Sequence, residues 1–325
     1  MEICGSHTAV IARSGIRAFL PEGIRMIAGP GCPVCVTVTS YLDRLIELSF
    51  EKDKVICSFG DLIRVPGSSL SLEEARSKGG DIRMLYSPLD MVSLAKKEKG
   101  KTFIFAAVGF ETTAPVYAEL LTLALEEDLH NIKLLTSLKT MPKVVERLEG
   151  RTEGFILPGH VCTVTGYEPY IPLAEKLGVP MVAAGFTERD VLRAVYALVK
   201  LRGKGEVKNL YPAAVTEKGN EEAKKAVDRF FTPGDASWRG MGSIEGSGLY
   251  LKKEYEGEFD AGSFDLSSDS AEEGCRCSFV ITGEEKSSDC PLFGRGCTPS
   301  NPKGACMVSR EGACFNEFVS RGRSR

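Results

Sequence analysis

No apolar stretch of this 325-residue chain reaches the ~20 residues needed to span a bilayer, so no membrane-spanning helix is expected. The opening Met1-Glu2-Ile3-Cys4 lacks the charged and hydrophobic regions of a signal peptide. A cytoplasmic location is therefore expected. Neither sign of charge is in excess: 41 Lys and Arg against 44 Asp and Glu leave a net charge of -3. That balance offers no global attraction to nucleic acid or to an anionic membrane, so neither is expected as a partner. Phosphate-binding signatures are missing too, since no G-x-x-x-x-G-K-[ST] loop occurs and no G-x-G-x-x-G follows an expected strand. Histidine is scarce, with three in all. His130, behind the acidic Glu126-Glu127-Asp128, reads as a structural residue.

Cysteine is abundant. There are 11, and six of them (Cys275, Cys277, Cys290, Cys297, Cys306 and Cys314) lie in the last 51 residues. In a reducing compartment a disulfide framework is not expected, so clustered cysteines point to metal binding or thiol redox chemistry. The tail spacing, C-x-C-x12-C-x6-C-x8-C-x7-C, matches neither the ferredoxin run nor the paired knuckles of a zinc ribbon. An iron–sulfur cluster and a zinc ion both remain open at this point. Six candidate ligands exceed the four that either needs, which leaves room for a dithiol beside the metal.

With 43% hydrophobic and 26% charged residues the chain can bury more than one core. From Ile24 to Pro212 short apolar runs alternate with amphipathic stretches. Ile24–Ala28, Val55–Phe59, Ile82–Tyr86 and Thr102–Val108 read as buried parallel strands, separated by helices at Tyr41–Leu48, Leu72–Ser77 and Asp90–Lys97 and followed by one at Thr113–Leu125. The layout then repeats, with strands at Ile132–Leu138, Gly154–Leu157, Met181–Ala184 and Val207–Leu210 and helices between them. The expected fold class is α/β: two Rossmann-like βα domains with parallel sheets and a small loop-rich, Cys-rich domain. The expected boundaries are an N-terminal segment at 1–23, α/β domains at 24–130 and 131–231, and the Cys-rich domain at 232–325. The glycine-rich stretch from Thr232 to Gly248 reads as loop.

In open α/β sheets ligands bind beyond the carboxyl ends of the strands. There the sequence places Cys32 and Cys35 in Gly29-Pro-Gly-Cys-Pro-Val-Cys35, a C-x-x-C at the expected start of a helix, where the helix N-terminus would lower a thiol pKa. Gly109-Phe-Glu-Thr-Thr113, Pro158-Gly-His160-Val-Cys162 and Gly185-Phe186 follow other strands and are expected to line the same crevice. His7 stands three residues after Cys4, close enough to activate its thiol or join it at a metal.

Cys4-Gly-Ser-His7-Thr, Gly29-Pro-Gly-Cys-Pro-Val-Cys35, Phe59-Gly-Asp-Leu-Ile-Arg-Val-Pro-Gly-Ser68, Val108-Gly-Phe-Glu-Thr-Thr113 and Leu157-Pro-Gly-His160-Val closely resemble motifs of the HypD family of hydrogenase maturation factors. So do Trp238-Arg-Gly-Met-Gly242, Cys290-Pro-Leu-Phe-Gly and Gly304-Ala-Cys306-Met-Val-Ser-Arg-Glu-Gly-Ala-Cys314. The resemblance implies a scaffold with redox activity, rather than a conventional metabolic enzyme, that helps build the Fe(CN)2CO unit of [NiFe] hydrogenases. A HypC-like chaperone and a HypE-like cyanide donor are the implied partners, and a [4Fe-4S] cluster and a transient iron bearing cyanide and carbonyl the implied groups. Carried over by motif, Cys4 would ligate that iron with His7 beside it, and Cys32 and Cys35 would face it as a redox dithiol. Cys275, Cys290, Cys297 and Cys314 would hold the cluster, Cys277 and Cys306 would form the redox pair between cluster and centre, and Glu311 and His160 would approach the active site. Members usually carry a few tens of residues before the first motif, so an upstream segment packing against the cluster domain is expected. Two competing expectations are a free-standing iron–sulfur/dithiol reductase of a soluble partner and a zinc-stabilised adaptor. Iron and sulfide content separates the second from the rest.

Overall fold

The computed structural model describes residues 1–264, 266–270 and 272–323. The fold is mixed α/β with parallel sheets, and its nine strands among the described residues are β1 (Lys54–Ser58), β2 (Ile82–Met84), β3 (Thr102–Gly109), β4 (Ile132–Lys139), β5 (Phe155–Leu157), β6 (Met181–Ala183), β7 (Val207–Asn209), β8 (Phe231–Trp238) and β9 (Gly242–Leu251). They form a six-stranded sheet, ordered β2-β1-β3-β4-β9-β8, and a three-stranded sheet, ordered β5-β6-β7.

The sheets belong to two compact units, and these are not consecutive stretches of chain. One unit is Thr37–Thr140 with Glu222–Ala271; the other is Met1–Val36 with Met141–Glu221 and Glu272–Arg325. The boundaries therefore differ from the consecutive domains expected at 24–130, 131–231 and 232–325. Strand pairing is the reason: β4 pairs in parallel with β3 from Phe103↔Ile132 to Gly109↔Leu138, and β9 returns antiparallel to β4 at Leu138↔Leu249. Backbone hydrogen bonds thus recruit β4, β8 and β9 into the first sheet.

In the six-stranded unit β3 is apolar along nearly its whole length, as a central parallel strand covered on both faces must be. Phe103 and Phe105 pack with Tyr117, Leu120 and Leu121 from the helix Ala114–Glu126, and Phe230 and Phe259 close the same core. The segment read as a glycine-rich loop is instead the β8–β9 hairpin, paired from Phe231↔Leu251 to Trp238↔Gly242. Its turn at Arg239-Gly-Met-Gly242 uses left-handed backbone at Gly240 (φ 75) and Gly242 (φ 72), which explains two glycines so close together. Trp238 hydrogen-bonds its indole N–H to Ser247 Oγ at 2.8 Å.

In the other unit, the N-terminal residues add themselves to the three-stranded sheet. The Ile156 amide donates to the Met1 carbonyl (2.8 Å), the Ile3 amide to the Ile156 carbonyl (3.2 Å), and the Glu2 amide to the Ile27 carbonyl (3.0 Å). Residues 1–23 are accordingly part of this unit's framework. Ile24–Ala28, expected as a strand, makes only an isolated bridge at Glu2↔Ala28, because the one segment beside it is extended for so few residues before turning into helix at Gly5. Val10, Ile11 and Ile16 pack with Ile156, Val182, Val191 and Ala194 as its core. The Cys-rich tail contains more helix than expected, including Ala313–Arg323.

Lys139 ends β4 inside the six-stranded unit. Its amine is 3.2 Å from Ser137 Oγ and 5.6 Å from the centre of the Trp238 ring, and burial lowers its pKa to about 7. A depressed amine pKa contributes stability that is present above the unfolded value of 10.5 and lost as pH falls through the folded value near 7. Lys139→Met should therefore stabilise the protein below neutral pH by on the order of 4 kcal/mol, with the gain vanishing towards pH 10.5. Urea unfolding at several pH values checks this, and a gain independent of pH would contradict it.

Candidate redox and metal centre

The N-terminal segment runs to Cys4, which is extended (φ -148, ψ 123) and caps the helix Gly5–Ser14. Its side chain is buried. The Gly5 amide donates to the Gly31 carbonyl at 2.8 Å, and a Cβ placed on Gly31 would fall 2.2 Å from the Cys4 nitrogen and 2.5 Å from its Cα. Only glycine permits that approach. With one Cα–Cα step of 3.8 Å, the Cα of Cys32 lies within about 8 Å of the Cα of Cys4.

Cys32 and Cys35 are joined by a disulfide, and both are buried. They sit in a single turn closed by the Val36 amide on the Cys32 carbonyl at 3.2 Å. No helix begins at the C-x-x-C. Val38 is extended (φ -73, ψ 156) and the next helix starts at Thr39, so the helix N-terminus expected to act on these thiols is absent from their turn.

Burial pushes the Cys4 thiol up to about 12; the neighbouring charges of Glu2 and Glu311 add to this, while the amides of His7 and Ser6 oppose it. Neither amide closes a capping hydrogen bond to the sulfur. Cys4 is therefore held as a thiol, and a soft metal cation at the sulfur would displace its proton. Sequence reasoning does not single out Glu2, although a charged residue between Met1 and Ile3 is a signal. It is fully buried, accepts the Cys4 amide at 3.0 Å and the Thr8 hydroxyl at 2.5 Å, and has its pKa raised to about 7 by desolvation.

His7 is also fully enclosed. Its Nε2 is 2.9 Å from the Gly185 carbonyl, an acceptor only, so Nε2 carries the proton and Nδ1 presents a lone pair with no hydrogen-bond partner. Burial lowers the His7 pKa to about 4. Phe186 lies between the two motif histidines, with ring centroids 4.8 Å from His7 and 3.9 Å from His160. His160 is exposed, at the start of the helix Gly159–Thr165. The sequence shows Phe186 only as part of a strand-end loop; its place between two imidazoles is set by the tertiary fold. The strand-end loops divide between the units: those after Phe59 and Val108 belong to the six-stranded unit, those after Ala28, Leu157 and Ala184 to the other.

The tail joins this centre within the same unit. Glu311 packs on Gly5, where an added Cβ would meet its side chain at 2.2 Å. Gly312 lies against the Cys306 backbone, its own Cβ position 2.1 Å from the Cys306 carbonyl oxygen. The buried Cys306 thiol hydrogen-bonds with Cys277 and Cys314, contacts that together with burial raise its pKa well above normal. Cys275 has Cys277, Cys290 and Cys297 as neighbouring sulfurs, and Cys297 has Cys314 and Cys290. Gly304 clears space at this point, a Cβ there falling 3.0 Å from Cys275 Sγ, and the Lys303 amide donates to Cys297 Sγ at 3.3 Å. Among the described residues no three His, Cys, Asp or Glu side chains converge on a single ion. Cys275, Cys290, Cys297 and Cys314 nonetheless form a continuous set of soft donors with an amide aimed at one sulfur, which fits a cluster held by four thiolates. No helix among the described residues is long and apolar enough to cross a membrane.

A buried N-terminal thiol, a C-x-x-C disulfide turn beside it and a cysteine-rich tail lie in one unit, and comparison with known proteins makes the chain a hydrogenase maturation factor. The chain belongs to the HypD family: the match to that family, described as "Hydrogenase formation hypA family", covers residues 1–320. It is 44% identical over 323 residues to a putative hydrogenase expression/formation protein of Methanocaldococcus jannaschii, covering 97% of this chain and 89% of that protein. Similar relatives are the hydrogenase maturation factors HypD2 of Bradyrhizobium diazoefficiens (42% over 333 residues, 97% and 87% covered) and HypD of Rhodobacter capsulatus (41% over 327, 97% and 87%).

A raised carboxyl pKa contributes stability that is present below the unfolded value of 4.5 and lost as pH rises through the folded value near 7. Glu2→Gln should remove this loss, so the stability of the variant relative to wild type should grow by on the order of 3 kcal/mol between acid and neutral pH. Parallel denaturation curves at pH 4.5 and 7.5 read the difference; equal differences at both would show that the Glu2 carboxyl titrates alike in the folded and unfolded protein.

Proposed function

We propose that this protein serves, together with a HypC-like chaperone, as the scaffold on which the Fe(CN)2CO unit of [NiFe] hydrogenases is assembled, with a HypE-like protein supplying cyanide. The observation that carries this reading is the seating of Cys4 against Gly31, which places a buried thiol within about 8 Å, Cα to Cα, of a C-x-x-C disulfide. The iron is cargo. Cys4 is its thiolate ligand, and the unpartnered Nδ1 of His7 offers a second donor or a proton acceptor on the same helix.

The disulfide of Cys32 and Cys35 accepts two electrons and two protons to become a dithiol, the reducing equivalents needed at the iron. Cys275, Cys290, Cys297 and Cys314 hold a [4Fe-4S] cluster, which when bound supplies single electrons at low potential. Cys277 and Cys306 stand next to that set as a relay, and Glu311 on Gly5 sets the distance from the tail to Cys4. The protein so described is a redox-active scaffold in the cytoplasm, with two Rossmann-like halves and an iron–sulfur tail.

Anaerobic co-purification with a HypC-like partner should give cyanide and carbonyl stretching bands in the infrared, and Cys4→Ser should abolish them while the partner still binds. Bands that survive in Cys4→Ser would remove Cys4 from the iron. In the tail, Cys275→Ala, Cys290→Ala, Cys297→Ala and Cys314→Ala should each lose the brown chromophore, whereas Cys277→Ala and Cys306→Ala should keep it and lose maturation activity. An intact chromophore in any of the first four overturns the ligand set, and full activity in either of the last two overturns the relay.

A further inference from the structure

Among the described residues Lys139 is the one buried lysine, 3% exposed at the end of β4. An ammonium group carries three N–H donors. Lys133, on the same strand, finds acceptors for its own in the carbonyls of Gly257 (3.5 Å), Glu258 (2.9 Å) and Asp260 (3.3 Å). Lys139 reaches one, Ser137 Oγ at 3.2 Å, with the Trp238 ring centre at 5.6 Å beside it. It also lines a small cavity of about 20 Å³ within the six-stranded unit, together with Tyr41, Ala236, Ser237, Tyr250 and Ser263. Among the described residues no Asp, Glu or Arg lines that cavity. The two tyrosines are no substitute for an acid: Tyr41 donates to the Leu135 carbonyl at 2.8 Å and Tyr250 to the Asp235 carbonyl at 2.7 Å, and burial holds both phenols protonated. Arg239 and Asp269, which flank this part of the unit, lie 3.6 Å apart and offset each other.

We infer that this cavity binds one small inorganic anion of halide size against the Lys139 ammonium. A buried charge is costly unless it is paired, and the described wall supplies no opposite charge. A water molecule would satisfy the remaining donors but leave the charge unbalanced; an anion does both. Size narrows the class further, since one water needs ~10–15 Å³ of such room and the larger oxyanions need several times more. Sulfate and phosphate are therefore excluded. Ser137 can turn its hydroxyl hydrogen to the anion while its oxygen accepts from Lys139. Binding takes up a proton with the anion, so the pair enters as a neutral unit: amine, proton and halide become ammonium halide.

The probe is sodium chloride, with sodium gluconate at equal ionic strength as the control, and the readout is urea unfolding of the full chain at about pH 6. A ligand that binds only the folded state raises its stability along a saturating curve. The wild-type midpoint should climb and level off in chloride but not in gluconate, and the advantage of Lys139→Met over wild type should shrink by at least half. Lys139→Met itself should respond alike to the two salts, and Ser137→Ala, which keeps the amine, should need more chloride than wild type. Crystals grown in sodium bromide should show an anomalous peak in contact with Lys139 Nζ. Equal wild-type midpoints in chloride and gluconate would overturn the inference, even with a bromide peak present, because that would be binding at crystal concentration only. A chloride response retained in Lys139→Met would overturn it as well, by placing the anion elsewhere.

Discussion

The centre depends on one close approach, the backbone of Cys4 against Gly31. A Cβ on residue 31 would overlap the Cys4 nitrogen at 2.2 Å, so any other residue forces the two segments apart. The same contact is supported from both ends: the Gly29 amide donates to the Glu2 carbonyl at 2.8 Å, and the Gly5 amide to the Gly31 carbonyl at 2.8 Å. Gly29 is equally restricted, its Cβ position lying 2.8 Å from the Glu2 carbonyl oxygen. The glycines of Gly29-Pro-Gly-Cys-Pro-Val-Cys35 thus bring two chain segments into contact, and the cysteines that follow come with them.

Burial then sets the chemistry of what has been brought together. Glu2, Cys4 and His7 are all enclosed, and desolvation drives each towards its neutral form: the carboxyl to about 7, the thiol to about 12 and the imidazole to about 4. Below neutral pH the three are therefore held uncharged around the end of the extended N-terminal segment. A cationic metal would invert that logic, since a thiolate is stabilised by the ion it binds. Local geometry prepares for this, because the Ser6 and His7 amides favour the Cys4 thiolate.

Packing of glycines also connects the tail to the centre. Gly5 receives the Glu311 side chain and Gly312 the Cys306 carbonyl, each at a separation that would exclude a methyl group, and Gly304 lies tightly against the Cys275 sulfur. The helices Gly5–Ser14 and Ala313–Arg323 pack together in the same unit, with Arg17 and Glu317 3.6 Å apart beside them. Few apolar side chains are available here, so close backbone contacts and sulfur neighbours do what a larger core does elsewhere.

Periodicity made most helices and parallel strands legible, since Leu72–Ser77 and Asp90–Lys97 are helices at the expected residues and β1, β3 and β6 fall where apolar runs predicted them. Apolar runs report burial, and burial is local to a segment. The motif cysteines and histidines were legible as well, because residue type alone carries soft-donor and proton-transfer chemistry. Pairing was not. The return of β8 and β9 onto β4, the entry of Met1–Ile3 into the sheet of β5, and the reduction of Ile24–Ala28 to one bridge all depend on which distant segment supplies hydrogen-bond partners. Glu2 and Phe186 stayed hidden for a related reason: a buried carboxyl and a ring between two imidazoles acquire their roles only from neighbours that the chain brings close in three dimensions. Residue chemistry and local period are properties of the sequence by itself, whereas register, burial of charge and contact across long sequence separations were decided by the tertiary structure, where backbone groups must find partners and glycines permit the approach.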